Sequence, residues 1–438
     1  MRRRGSRRRA RRDAKCRAGV RRQSFRFVEI SKNAQRTSAA AILALQLAIA
    51  TGWRVHFDNY DCTDGSWHVH LYPTRQSAVC SGCGETKRRA LDTKNPARAW
   101  RHLDGWGICT VVMAPLRRVR CRRCGIRVEQ VPWARTGSRM THMFEAEILR
   151  RARTTSIAGV CRQLGLHWTT VMRLITHWVE EVVERRFHRK LRIIGVDEVS
   201  YGRGQNKYLT IVWDHEAGRV VWIGKGKEEA TLEQFFVKLG PRRSRRLVAV
   251  TLDMAQGYIN AIQEHAPQAD LVFDRFHIEH HLTDAVDQVR KAEFWRKGGP
   301  HRQAIRGKKF LLLKKRRRLH WRRRRELDEL FRLNRRLQVA YMLKEQFDVV
   351  WAYRTERGMG AALEHWRCLL RWQRLGPLKR FWNMIERHWF GVVAWAKHGL
   401  SNAALEGNNS RIRGISQRGH GYRNPGNLMQ ILYFSCCP

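Results

Sequence analysis

Leu191-Arg-Ile-Ile-Gly-Val-Asp-Glu198, Tyr208-Leu-Thr-Ile-Val-Trp-Asp214 and Arg219-Val-Val-Trp-Ile223 are three short runs, rich in β-branched and aromatic residues and separated by turn residues. Side chains of that kind fit a pleated, buried surface, so the three runs read as a meander of strands. From Glu228 to Leu239 the spacing changes: Leu232, Phe235, Phe236 and Leu239 fall three or four apart, on one face of a helix. A strand at Leu247-Val-Ala-Val-Thr-Leu-Asp253 comes next, then a helix from about Gln256 to Glu264. A short apolar run, Leu271-Val-Phe-Asp274, precedes a longer helix from about His277.

Strand, strand, strand, helix, strand, helix, strand, helix is the order of a ribonuclease H-like α/β domain. Asp197 and Asp253 each close an apolar run, so each carboxylate would sit inside or at the end of a strand whose other residues read as core. A buried carboxylate is costly unless it is paired or binds a metal. One such acid alone usually ends a strand, caps a helix or faces solvent. Two of them, on strands that would be neighbours, point to a divalent-metal site. A third donor is offered by Ser401-Asn-Ala-Ala-Leu-Glu-Gly-Asn-Asn-Ser-Arg411, where Glu406 shares helical spacing with Asn409 and Ile412.

The phrases Val196-Asp-Glu198, Leu252-Asp-Met254, Asp274-Arg-Phe-His277, Glu406-Gly-Asn-Asn409 and Gly421-Tyr-Arg-Asn424 follow one another in that order. Over roughly residues 43 to 434 the chain thereby resembles the DDE-type bacterial insertion-sequence transposases of the ISL3 family. The resemblance implies a DNA transposase that binds the terminal inverted repeats of its insertion sequence and catalyses metal-dependent strand cleavage and strand transfer. It makes Asp197, Asp253 and Glu406 the catalytic triad and the ligands of Mg2+ (or Mn2+). Asp274 and His277 would support them, as an orienting group or a contact to the scissile phosphate; an ordinary histidine at a helix start is the competing reading of His277. Double-stranded DNA, as transposon end and as target, is the implied partner, and the implied assembly on it is a homo-oligomer. Ala403 and Ala404 depart from the family, where a glycine-containing turn is more usual.

The chemistry agrees with the residue types. Hard cations prefer oxygen ligands, which accounts for acids here rather than histidines. Two such ions can activate an attacking oxygen and stabilise a leaving one during in-line displacement at a phosphodiester. Two other classes share parts of the pattern: a ribonuclease H-like nuclease, and a catalytically inactive, sequence-specific DNA-binding regulator derived from a transposase. The domain layout described next speaks against the first, and the presence of all three acids against the second.

The 438 residues carry 86 Lys and Arg against 38 Asp and Glu, a formal charge of +48, and such a surface attracts polyanions. Residues 1–38 are arginine-rich and read as a basic, disordered extension, either a DNA-phosphate arm or upstream sequence translated through a misplaced start. The apolar run from Ser38 to Ala50 is too short to span a bilayer and its basic lead is too long for a signal peptide, so no membrane and a cytoplasmic location are expected. Cys80-Ser-Gly-Cys83 and Cys121-Arg-Arg-Cys124, each followed by glycine, fit four thiolates around structural Zn2+, with reduced structural cysteines as the alternative. The other seven of the eleven cysteines lack partners at ligand spacing.

Thr154 to Ile175 reads as helix, turn, helix, with Ile157, Val160 and Leu164 facing Val171, Leu174 and Ile175 across a turn at Gly165. His167, Trp168, Thr169, Thr170 and Arg173 would be exposed at the start of the second helix, placed to reach base edges. A helical hairpin with no DNA role has the same pattern. Between Lys297 and Leu400 the apolar spacing is helical throughout, and its lead-in, from Lys308 to Arg325, crowds cations that no nearby acid neutralises, with Phe310 and Trp321 among them. That run reads as a phosphate track, against the ordinary explanation of a solvated charged face. Arg411 and Arg413 continue the theme after Glu406, as DNA contacts. The expected division is extension (1–38), zinc ribbon (39–135), helix-turn-helix (136–190), catalytic core (191–295), all-helical insertion (296–400) and the core's glutamate-bearing remainder (401–438).

Overall fold

A computed structural model describes residues 52–56, 65–105, 107–187, 190–202, 207–296, 298–400, 403–419 and 421–436. The side chains of residues 94–96, 182–187, 403–406 and 408 lie outside the description. The basic extension, the run from Ser38 to Ala50, Cys16, Cys62, Cys437 and the Glu406 side chain therefore all fall outside the described residues. The chain forms two compact units that meet in sequence at Glu147 and Ile148. Among the described residues no helix is long and apolar enough to cross a membrane, and no disulfide forms.

The first unit is a sheet with strand order β1 (Trp53–His56), β2 (Ser66–Pro73), β6 (Cys109–Cys121), β5 (Asp92–Arg101), with β7 (Gly125–Val128) added to the far end of β6. Alternate residues of β2 and β6, among them Val69, Leu71, Val112 and Ala114, point to one face and are buried there. Trp100 and Trp133 meet edge to face at 5.5 Å in that core. A two-stranded ribbon, β3 (Ala78–Val79) with β4 (Thr86–Lys87), carries the first cysteine pair.

The second unit opens on the end of α1 (His142–Thr154), followed by α2 (Ile157–Leu164) and α3 (Trp168–Phe187). Its sheet runs β10 (Arg219–Lys225), β9 (Tyr208–Asp214), β8 (Ile193–Ser200), β11 (Ala249–Leu252), β12 (Asp270–Phe273). β8, β9 and β10 pair antiparallel, whereas β8, β11 and β12 run parallel. Parallel pairs need crossovers, and two helices supply them: α4 (Glu229–Leu239), with the short α5 (Pro241–Ser244), before β11, and α6 (Gln256–His265) before β12. The meander, both crossovers and the two parallel strands lie where the sequence spacing puts them. α7 (Arg275–Arg296) starts two residues earlier than expected, because Asp274 Oδ1 accepts the Phe276 N–H at 3.2 Å and so opens the helix.

Seven helices fill the next segment: α8 (Pro300–Ile305), α9 (Lys309–Leu313), α10 (Trp321–Leu333), α11 (Arg335–Phe347), α12 (Glu356–Leu370), α13 (Gly376–Arg387) and α14 (Trp389–His398). The apolar stripes read from sequence are their core: Phe347 packs edge to face on Trp366 at 5.3 Å and on Phe381 at 5.2 Å. α14 brings the chain back to the sheet, and Gly391 is why it can lie so close. A Cβ there would fall 2.4 Å from the Phe273 ring on β12. α15 (Ala403–Arg418) and α16 (Pro425–Cys436) end the chain, and Tyr433 of α16 accepts the β10 backbone N–H of Ile223 at 2.6 Å.

The cation-rich lead-in differs from the expectation. Glu326 pairs with Lys308 and Arg323, Asp328 with Arg316, and Asp348 with Lys315 and Arg317. Glu326 and Asp328 directly follow the run, in the helix that Arg322 to Arg325 begin, whereas Asp348 comes from thirty-three residues beyond Lys315, where a local count of charges misses it. Phe310 and Trp321 do stay exposed, at 71% and 53%, and Arg322 and Arg325 lie over the Trp321 ring.

Candidate active site

β8 and β11 pair in parallel with Thr251 opposite Gly195, an offset of 251 − 195 = 56 residues. Asp253 and Asp197 are separated by the same 56, so continuing the register by two residues sets the carboxylates level with each other and on one face. β11 and β12 pair Leu252 with Phe273, an offset of 21, which brings Asp274 level with Asp253. Three acids thus form a row across three adjacent parallel strands, within β8 at Asp197 and just past the carboxyl ends of β11 and β12 at Asp253 and Asp274. That edge is where open α/β sheets place ligands.

Each acid is tied down locally. Asp197 Oδ1 accepts the Glu198 N–H at 2.7 Å, Asp253 Oδ1 the Ala255 N–H at 3.2 Å, and Asp274 is buried at 6% exposure. A helix from the far end of the chain then closes on the row: Asn409 of α15 donates its amide to Asp197 Oδ2 at 2.5 Å. Glu406 lies three residues earlier in α15. Among the described residues the buried Asn409 Oδ1 atom has no hydrogen-bond partner. His277 Nε2 lies 4.0 Å from Asp274 Oδ2.

Burial pushes the Asp197 carboxyl above its ordinary range, and the neighbouring charge of Asp253 pushes the same way; the Glu198 N–H, the Asn409 amide and His277 pull it back. Glu198 is raised too, first by burial and then by Asp253, against the pull of Lys227. Desolvated acids crowded together in this way are short of positive charge. The oxygen-only donor set, the raised Asp197 and the orphaned Asn409 oxygen all fit a hard divalent cation. Asn409 was within a quoted motif but carried no assigned role; its spacing of three from Glu406 was the available signal.

The four expected zinc ligands do converge: the Sγ atoms of Cys80, Cys83, Cys121 and Cys124 all lie within 4.8 Å of one another. Gly84 and Gly125, at φ of 73° and 72°, let each knuckle turn back after its second cysteine. Backbone N–H groups of Cys124 and Arg123 lower the Cys121 thiol to about 7, whereas its neighbour Cys83 and burial push the Cys124 thiol up to about 12, so the crowded thiols share out their protons until a cation takes their place.

In the helical part, Ser156 caps α2 by accepting the Gly159 N–H at 3.1 Å, and Gly165 ends it in the left-handed region at φ 63°. Ile157, Val160, Leu164, Val171, Leu174 and Ile175 are buried as expected. His167, Trp168, Thr169 and Arg173 are exposed at the start of α3, and Thr170 is half-buried. Arg411 is exposed but donates to the Ser435 carbonyl at 2.5 Å near the end of α16; Arg413 is exposed.

A family model described as a transposase matches residues 194–432, and one described as the helix-turn-helix domain of transposase family ISL3 matches residues 129–179. The transposase for insertion sequence element IS1557 of Mycobacterium tuberculosis is 31% identical over 406 residues, covering 86% of this chain and 90% of that protein. The transposase for insertion sequence element IS1001 of Bordetella parapertussis is 29% identical over 360 residues, covering 81% of this chain and 88% of its own.

Proposed function

The chain belongs to the ISL3 family of transposases, and from that premise we propose that Asp197, Asp253 and Glu406 are the carboxylates with which it cuts and joins DNA. It is an enzyme acting on DNA, and its helix-turn-helix domain binds DNA. The proposal extends to a ribonuclease H-like core interrupted by an all-helical insertion; the mixed sheet order β10-β9-β8-β11-β12 supports it.

The observation that carries the reading is the level pair Asp197 and Asp253 on neighbouring parallel strands, with the Asn409 amide on Asp197. Mg2+ or Mn2+ held by these acids and Glu406 would supply charge at the attacking and leaving oxygens of the phosphodiester. The chain's own contribution is position. The Glu198 N–H and the Asn409 amide each take one oxygen of Asp197, which fixes the carboxylate plane. Asp274 opens α7 through the Phe276 N–H and thereby sets where His277 stands, in reach of the scissile phosphate. His167, Trp168, Thr169, Thr170 and Arg173 would read the terminal inverted repeats in a major groove, with Arg413 on phosphate. Zn2+ on the four cysteines would be structural, since a closed four-thiolate set leaves no open position. The active form on paired ends would be a homo-oligomer.

Purified protein, Mg2+ or Mn2+, and labelled DNA carrying the element's ends test this, with Asp197→Ala alongside. Metal-dependent cleavage at the ends, lost in the variant by at least about a thousandfold, is expected for a group in the reacting site. Cleavage that persists in Asp197→Ala, or binding without cleavage under either metal, would remove the assignment.

A further inference from the structure

Between α7 and the turn after α9 lies a cavity of about 390 Å3 that none of the roles above employs. Its volume falls in the range of roughly 300–1,000 Å3 typical of sites for small organic ligands. Leu282, Leu313 and Trp351 give it apolar walls, suited to the faces of a flat ring. Lys314 and Arg318 stand at its rim, and both are exposed. Neither makes an ion pair among the described residues, which sets them apart from Lys308, Lys315, Arg316, Arg317 and Arg323, each of which has a carboxylate within 4.0 Å.

The polar lining is as specific as the apolar walls. Glu345 lines the cavity, and its Oε1 atom is buried with no hydrogen-bond partner. Lys344 lies 3.2 Å from that oxygen, but its ammonium is spent on the carbonyls of Leu312, Leu313 and Lys314. The ion pair with Lys344 keeps this carboxylate charged inside the cavity, where it can still accept from an N–H donor of a ligand. An apolar slot, an acceptor inside it and two unneutralised cations at its mouth complement a nucleotide: base ring, exocyclic amine and phosphate.

The cavity is also wired to the carboxylate row. Asp348, in its lining, pairs with Arg275 at 3.2 Å, and Arg275 follows Asp274 directly. Resting on the transposase reading above, we propose that this cavity receives one nucleotide of the DNA end, swung out of the duplex next to the bond being cut. Extrusion breaks stacking and pairing, and contacts in a fitted pocket offset that loss. The extruded nucleotide would register the scissile phosphate against the acids.

The test uses the full chain and duplexes carrying the element's end, with 2-aminopurine replacing each base in turn across the junction with flanking DNA. Fluorescence of this base rises when it leaves the stack. Binding of the unaltered protein should raise it several-fold at one position. Thr283→Trp fills the cavity from α7, and Arg318→Ala removes a rim cation; each should lose the rise while still shifting the duplex on a gel. An abasic site at that position should restore cleavage to Thr283→Trp, because no base then needs a pocket. A rise at no position, in a complex that cleaves with metal, overturns the cavity's role and leaves the carboxylate assignment standing. So does a rise that persists in both variants. A rise that both variants lose, in a protein that never cleaves, supports the cavity and counts against the carboxylates instead.

Discussion

Asn409 reaches Asp197 across 212 residues of sequence and holds one of its two oxygens. Removing that hold should disturb the acid without touching DNA. Asn409→Leu is expected to slow end cleavage by roughly 10–100-fold and to weaken apparent Mg2+ affinity by a similar factor, as loss of a ligand-orienting partner does. Unchanged metal dependence at an unchanged rate would show that the bond is incidental. A second residue-scale prediction concerns His102, which is 3% exposed, with Nδ1 2.9 Å from Thr141 Oγ1. Burial lowers its pKa from 6.5 to about 4. As pH falls through 6.5 the unfolded chain gains a proton that the folded chain refuses, so this contribution to stability is whole above 6.5 and drains away down to about 4. The loss amounts to about 3 kcal/mol. Protection of the β5 and β6 amides, taken relative to their intrinsic exchange rate at each pH, should therefore fall between pH 7 and pH 4.5, and His102→Gln should flatten that response; equal responses would discard the account.

At the scale of elements, the cysteine knuckles show what a short segment needs in order to hold a shape. β3 and β4 have two residues each, too few to persist as a free hairpin. Cys121→Ser should lose one zinc per chain by metal analysis and loosen β3, β4 and β7 in exchange experiments, while α11 to α13 stay protected. Retained zinc would show that the four thiols are not the ligands. The meander and crossover helices were legible because period two and period 3.6 each persist over several residues. The level placement of Asp197 and Asp253 was written in their spacing of 56, but that number has meaning only once β8 and β11 are known to be register partners. The run from Lys308 to Arg325 is legible only in part for the opposite reason: Asp348 pairs with two of its cations from far along the chain, and no local window contains it.

At the scale of the molecule, the second unit ties DNA recognition to the sheet through its last helix. Arg153, in the last turn of α1, lies over both Trp178 of α3 and Phe434 of α16, whose rings meet edge to face at 5.1 Å, and the Arg153 carbonyl accepts from Arg418 of α15. α16 in turn holds β10 through Tyr433. Arg153→Ala should leave end binding within about threefold yet lower the melting temperature by several degrees, for a loss of about 1–2 kcal/mol. Cleavage should fall more than binding does; parallel losses would show the junction to be packing alone.

The bond between Asp197 and Asn409 also sets an order in time. A ribosome that has made Asp197 must add 212 more residues before its partner exists, on the order of 10–40 s of synthesis. The helix-turn-helix, finished at Phe187, emerges long before that. On the proposed assignment, a newborn chain would take hold of DNA while it is still unable to cut. Any product cut short ahead of α15 would stay in that condition, occupying the ends as a competitor of its own full-length sister.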